Sequence, residues 1–503
     1  MKKGLLLLVM TLLAIGLFAS GDDETGTTGS KADEPYEFTL FAPWPPEATD
    51  VDKAFFKGLE DALNLKINLE IPPSGNYAER QQIMLATGDY PELVLFGGTT
   101  DKTYVDTVKN GLILPVNEYL KNSPNIMQYS YQVSLDSFKT MGDDNIYGIP
   151  RTSVARADGL NVRADWLKKL GIDYAKDGAT VTLDQFTALM KAFTRNDPDG
   201  NGLDDTYGLM VAADSKGNMA VPGRIAWSFG VIGWQEYDGT YLDLKYSQKH
   251  DNYKKSLEYV NMLWEEKLVD PDWPTLTNST AADREVKGMY GMRGEFAGWL
   301  VSSQQKLQAF VPEGEYNYIT GIENEGGTVV GGSFSTGTWG LWTIMSSAEQ
   351  PEKIVGMLDY ALSDAYWDTV AFGPEGVTWN DEGGRKVPTD LYPDHKYGRQ
   401  FVRRNDAPGF FITLNMSDAN RSRLDNLIGI CIDQAVFSKS EGYRPPAADR
   451  QSLIDAETEL NKTISKIIVG QLPVDAWDEA LDAWYASGGD QYVKEMNDHI
   501  NSK

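Results

Sequence analysis

The residues best suited by type and spacing to do chemistry lie in one short stretch, Asp197-Pro-Asp199-Gly-Asn201-Gly202-Leu203-Asp204-Asp205-Thr206-Tyr-Gly208. Counting Asp197 as position 1, oxygen-bearing side chains fall at 1, 3, 5 and 9, Gly202 takes the sharp-turn position, and Leu203 offers a backbone carbonyl. A hard cation such as Ca2+ gathers its oxygens from a turn of this spacing. The expected ligands are Asp197, Asp199, Asn201, Leu203 and Asp205, around a structural rather than a reactive ion. Gly208 stands where a full EF-hand loop has a bidentate Glu, so Asp204, a water or a distant residue has to complete the shell. The same composition also makes a plain Asx-rich turn, and both readings stay open.

Thirteen tryptophans are the second signal. A sugar ring has an apolar C–H face and a rim of hydroxyls, so its sites pair flat aromatic platforms with polar donors and acceptors. Trp44, Trp227, Trp234, Trp299 and Trp339 each lie in or next to loop-forming small or proline residues and are candidate platforms. Trp166, Trp264, Trp367, Trp477 and Trp484 lie on amphipathic patterns and are expected in the core. Arg151, just after Tyr147-Gly-Ile-Pro150, is a candidate clamp for a hydroxyl or carboxylate, with a surface ion pair as its competing role.

Other chemistries find little support. The chain has only three histidines and one cysteine, Cys431, inside the apolar run Ile428-Gly-Ile-Cys-Ile. Zinc clusters, Cys/His dyads and intrachain disulfides therefore have no material. No nucleophile elbow, phosphate loop or His-Glu-x-x-His motif occurs. With 73 Asp plus Glu against 46 Lys plus Arg, the net charge of −27 opposes nucleic-acid binding. So many carboxylates leave a glycosidase-like acid pair conceivable, although nothing singles one out.

The elements that must hold these residues alternate between helix and strand. Tyr36 to Phe41 alternates as a strand. A helical pattern starts near Asp50, Leu65 to Ile71 returns to period two, a second helix carries Ile83 and Leu85, and Leu93 to Phe96 is a short buried strand. This βαβαβ order predicts a parallel sheet whose ligands lie beyond the carboxyl ends of its strands. At the start, Met1-Lys2-Lys3, the apolar run from Gly4 to Phe18 and Ala19-Ser20-Gly21 have the form of a secretory signal peptide over residues 1–21, followed by a polar tether over 22–34. A lipid-anchor box would put Cys after Gly21, where this chain has Asp22. The expected location is extracellular, with attachment to the outer membrane face left open.

Several segments together carry a resemblance: Ala86-Thr-Gly-Asp-Tyr-Pro-Glu-Leu-Val94, Tyr147-Gly-Ile-Pro150, Leu160-Asn-Val-Arg-Ala-Asp-Trp-Leu-Lys-Lys-Leu-Gly171, Trp264-Glu-Glu-Lys-Leu-Val-Asp-Pro271 and Phe372-Gly-Pro-Glu-Gly-Val-Thr-Trp379. In order and spacing they resemble the extracellular solute-binding proteins of bacterial carbohydrate ABC transporters, in the large Gram-positive lipoprotein-type branch. The resemblance implies an α/β, two-lobe periplasmic-binding-protein-like fold with a hinge and an interlobe ligand cleft. It implies a first lobe over 35–150 plus about 328–378, and a second over 151–327 plus about 379–503 with the C-terminal helices. It also adds Glu375 and Trp379 to the candidate cleft residues, and its alginate-binding members carry a similar calcium loop. The implied function is non-enzymatic: a monomer that captures an oligosaccharide and delivers it to a membrane permease. The alternatives are a secreted polysaccharide-acting hydrolase or lyase and, more weakly, a surface adhesin or sensor partner.

Overall fold

The computed structural model describes residues 34–45, 47–141, 143–332, 336–406, 413–440 and 442–502, so the expected signal peptide and all but the last residue of the tether lie outside the described residues. The chain divides into Met1–Pro35 and Tyr36–Lys503, and the architecture below is that of the second unit. Strand β1 (Tyr36–Phe41) leads to helix α1 (Asp50–Leu63), strand β2 (Leu65–Glu70), helix α2 (Tyr77–Thr87) and strand β3 (Leu93–Phe96). α1 starts where it does because the Thr49 hydroxyl accepts the Asp52 N–H at 3.0 Å while the Asp52 carboxylate accepts the Thr49 N–H at 3.2 Å. This reciprocal cap satisfies two otherwise orphaned donors. The helix stops at Asn64, which adopts φ 52°, and it buries Val51, Phe55, Phe56 and Leu59 along one face.

β1 pairs in parallel with both β2 and β3, as the alternating pattern predicts. The sheet continues with two more strands: Thr338–Ile344, antiparallel to β3, and then β4 (Ile149–Thr152), antiparallel to Thr338–Ile344. The sheet is mixed because Thr338–Ile344 belongs to a segment returning from elsewhere in the chain and enters from the opposite end.

A second sheet has the order Tyr316–Ile319, β5 (Gly159–Arg163), Tyr290–Glu295 and Tyr207–Leu209. β5 runs antiparallel to both its neighbours. Its core includes Trp166, Phe186, Phe193, Val260 and Trp273, and the C-terminal helices Gln451–Ile468 and Ala476–Trp484 press Leu460, Ile464, Trp477 and Trp484 into the same cluster. Each sheet therefore has its own hydrophobic core, which makes two α/β lobes.

The cores shift the expected lobe edges. Tyr397, Phe401 and Val402 belong to the first core, so the first lobe continues past the expected boundary at 378. The cause is packing: Phe401 meets the rings of Trp44, Phe55, Phe56 and Trp342, and its carbonyl accepts the Trp342 indole N–H at 2.7 Å. At the other edge, Gly331–Gly332 still pairs with Ala435–Val436 beside the second lobe, so the return to the first lobe follows residue 332 rather than 328. Among the described residues the chain thus passes between lobes three times, at 153–158, after 332 and after Asn405, whose N–H still bonds the Tyr129 carbonyl of the first lobe at 3.1 Å. Among the described residues no helix is long and apolar enough to cross a membrane.

Candidate ligand cleft

The crossing at 153–158 is the anchor of the site. The Ser153 N–H donates to the Gly337 carbonyl at 2.7 Å, the Ala157 N–H to Cys431 at 2.8 Å, and the Gly159 N–H to the Tyr318 hydroxyl at 2.6 Å. A Cβ at Gly159 would lie 2.2 Å from the Ile319 carbonyl, so only glycine lets β5 start this close to its neighbour. These bonds tie the crossing segment to both lobes. The carboxyl ends of β4 and of strands Tyr207–Leu209, Tyr290–Glu295 and Tyr316–Ile319 all lead into this region, which is where open α/β sheets bind ligands.

Arginines crowd the crossing. Arg151, on β4 and buried, donates from Nη2 to Gln400 Oε1 at 3.1 Å. Arg403 donates to the same oxygen at 3.4 Å. Arg156, also buried, lies 3.0 Å from an Asp158 carboxylate oxygen and 3.7 Å above the centre of the Phe296 ring. Arg224 reaches the other Asp158 oxygen at 3.3 Å and lies 5.6 Å from the centre of the Trp227 ring. Burial pushes the Arg151 guanidinium down to about 10. Arg403 is pushed well below the usual arginine range, by burial first and then by Arg151, Arg156 and Arg399. Burial also lowers Arg156, against the pull of Asp158. Beside this group, Met210, Ala212, Arg224, Asn278 and Arg293 help line a pocket of about 210 Å³ at the carboxyl ends of Tyr207–Leu209 and Tyr290–Glu295.

The candidate platforms divide into two groups. Trp339 is 49% exposed and Trp299 45% exposed. Trp339 lies on a bulge, since the pairing with β4 shifts register between Thr338 and Leu341, and bulges re-aim side chains. Trp299 ends the short turn Ala297–Trp299 that follows Phe296. Trp227 is half-buried beside Gly331 and Gly332, where a Cβ on Gly331 would come within 2.8 Å of its ring. Arg151, Trp227, Trp299 and Trp339 therefore lie at or next to the crossing.

Trp44, Trp234 and Trp379 are placed differently. Trp44 is enclosed by Phe56, Trp342, Tyr397 and Phe401 in the first core. Trp234 is buried near Tyr492, and Trp379 is buried with its indole N–H on the Gly373 carbonyl at 2.9 Å. A ring enclosed on its faces has none to offer a sugar. Glu375 is exposed in the turn before the hairpin Trp379–Asp381/Lys386–Pro388 and makes no ion pair with the arginine group among the described residues. Arg156, Asp158, Arg224, Phe296, Gln400 and Arg403 were not legible in the sequence, because nothing in their spacing joins them. The one local hint is the adjacent pair Arg403-Arg404.

The acidic loop stands apart on the second lobe. The Asp197 carboxylate accepts the Gly200 N–H at 2.9 Å and the Gly202 N–H at 3.2 Å, as in an Asx turn. The Asn201 side-chain amide lies between Asp199 (2.9 Å) and Asp205 (3.1 Å). Partial burial and the neighbouring Asp205 and Asp197 charges raise the Asp199 carboxyl. Crowded hard oxygens of this kind fit a divalent cation, which would relieve their repulsion. Even so, no three His, Cys, Asp or Glu groups converge as a metal site among the described residues.

Comparison with known proteins agrees with this architecture. The chain is 25% identical to lipoprotein LipO of Bacillus subtilis, over 97% of each chain. It is 22% identical to the polygalacturonan/rhamnogalacturonan-binding protein YtcQ of the same organism, over 99% of this chain and 98% of that one. Among solved structures, a human-milk-oligosaccharide-binding solute-binding protein from Bifidobacterium longum infantis superposes with TM-score 0.70 at 17% identity, over 93% of this chain and 99% of that one. The alginate-binding protein AlgQ2, solved without calcium ion, gives 0.67 at 18%, over 93% and 98%. An EF-hand mutant of FusA from S. pneumoniae, in complex with fructo-nystose, gives 0.66 at 17%, over 93% and 99%. These neighbours share the fold, and some of them have calcium sites. The profile of the bacterial extracellular solute-binding proteins matches residues 45–366, and with two lobes meeting at three crossings this chain belongs to that family of binding proteins, which are not enzymes.

Proposed function

We propose that this protein captures an oligosaccharide between its lobes outside the cell and delivers it to the permease of an ABC importer. The observation that supports the reading is Trp227, 5.6 Å from Arg224 at the crossing, together with the half-exposed Trp299, three residues after the Phe296 ring that Arg156 covers, and Trp339, two residues after the Gly337 carbonyl that Ser153 bonds. Flat faces stack on sugar C–H surfaces, while guanidinium and carboxylate groups fix hydroxyl directions. Contacts made to both lobes at once would favour a closed form, and that closed form is what a permease reads. The protein acts as a monomer, held near the membrane by the segment before Tyr36. Ca2+, bound by Asp197, Asp199, Asn201, Asp205 and the Leu203 carbonyl, stiffens the loop far from the sugar and takes no part in capture. The deciding experiment incubates the protein with a panel of oligosaccharides and reads calorimetry alongside product chromatography. Saturable binding with the sugar recovered intact is expected; turnover of any glycan would overturn the reading.

A further inference from the structure

Another pocket lies on the second lobe, away from the crossings. Its volume is about 730 Å³, a size suited to a small-molecule ligand, and it forms where helix Leu183–Arg195, the end of the acidic loop and the turn after helix Asn252–Glu265 come together. Tyr207, in its wall, is the first residue of strand Tyr207–Leu209, whose carboxyl end leads to the cleft. The pocket therefore opens at the opposite edge of that sheet, and every residue lining it belongs to the second lobe.

The wall combines aromatic rings with polar groups that the fold does not use. Trp264 packs against the second-lobe core but is only half-buried, and Tyr207 is half-buried as well. The Thr194 hydroxyl is buried without a hydrogen-bond partner among the described residues. A buried hydroxyl left unmet is costly, and a ligand hydroxyl would satisfy it. Asp204, Glu265 and Lys267 are exposed and form no ion pair among the described residues, whereas Arg195 and Glu266 pair with each other at 2.8 Å. Lys267 is an independent sign. It holds φ 56° just past the helix end, a left-handed position that glycine takes freely and where a side chain is strained. Glycine would serve the turn better, so what lysine adds there is its ammonium group. With an ammonium and carboxylates together at the pocket, a charged ligand of either sign meets a like charge, while neutral hydroxyls find donors and acceptors.

We propose that this pocket is a second carbohydrate site, for a neutral sugar stacked on Trp264 and hydrogen-bonded by Thr194, Asp204, Glu265 and Lys267. It goes beyond capture in the cleft: a ligand here touches one lobe only, so it is held at the surface without favouring closure.

The test is calorimetry of the full chain with maltotetraose, cellotetraose, xylotetraose and mannotetraose. At least one should bind with an affinity that the cleft variant Trp299→Ala, Trp339→Ala leaves unchanged, and that Lys267→Gly and Thr194→Val each lower about tenfold. Neither pocket variant should melt below the wild type, because one relieves backbone strain and the other removes an unmet hydroxyl. Lower melting temperatures for both would make these side chains structural and overturn the proposal. Affinity that responds only to the cleft variant would overturn it and leave capture in the cleft intact; affinity that responds only to the pocket variants for every sugar tried would overturn capture and leave the pocket. Tighter binding of a tetrauronate or a tetraglucosamine at the pocket would overturn the neutral assignment. Absence of binding by all four tetrasaccharides would overturn the proposal outright.

Discussion

Trp299 and Trp339 each expose nearly half of their surface, whereas Trp44 exposes 3% of its own, although all three sit among turn-forming neighbours. The consequence of cutting each back differs in kind. Trp299→Ala or Trp339→Ala should lower sugar affinity about tenfold by removing a stacking face, with the melting temperature unchanged. Trp44→Ala should destabilise the first lobe by about 3–5 kcal/mol, because it opens a cavity among Phe56, Trp342, Tyr397 and Phe401. Calorimetry and denaturant unfolding on the same three variants separate the roles. Equal loss of stability in all three would place Trp299 and Trp339 in the core as well.

A loop and a buried histidine carry the predictions that belong to elements. If Ca2+ binds the 197–205 loop, chelation should lower the melting temperature of the wild type, because a ligand that binds only the folded state stabilises it. The double variant Asp199→Ala, Asn201→Ala should melt alike with and without chelator; a wild type indifferent to chelation removes the ion. In the first lobe, His395 packs its ring 5.7 Å from Phe55, with Nε2 2.8 Å from the Val370 carbonyl. Burial pushes this histidine down to about 4. The unfolded chain, near pH 6.5, therefore binds the proton first. Stability is fully present above pH 6.5 and is lost as pH falls toward 4, by on the order of 3 kcal/mol. Urea unfolding across that window should show the slope in the wild type and a flatter one in His395→Gln. An unchanged slope would mean that other groups dominate the acid response.

At the scale of the whole molecule, two cores joined by three crossings allow the lobes to move while each stays intact. Ligand that touches both lobes should shrink the radius of gyration in solution scattering; a radius indifferent to saturating ligand would rule out closure as the signal. Much of this architecture is written locally. The alternation from Tyr36 to Phe96, the Thr49 cap and the amphipathic helices at the C-terminus depend on neighbours a few residues away, so the sequence determined the parallel βαβαβ start, the helices and the acidic loop. The mixed sheet, the lobe edge beyond Val402 and the choice of exposed tryptophans depend on partners hundreds of residues distant. Trp44 is buried because Phe401 returns to cover it, and nothing around Trp44 in the sequence announces that. Likewise Arg151, Arg156, Arg224 and Arg403 share no motif. Only the tertiary structure brings them together at the crossings, because charge and packing act through space, whereas a sequence pattern records only what lies near along the chain.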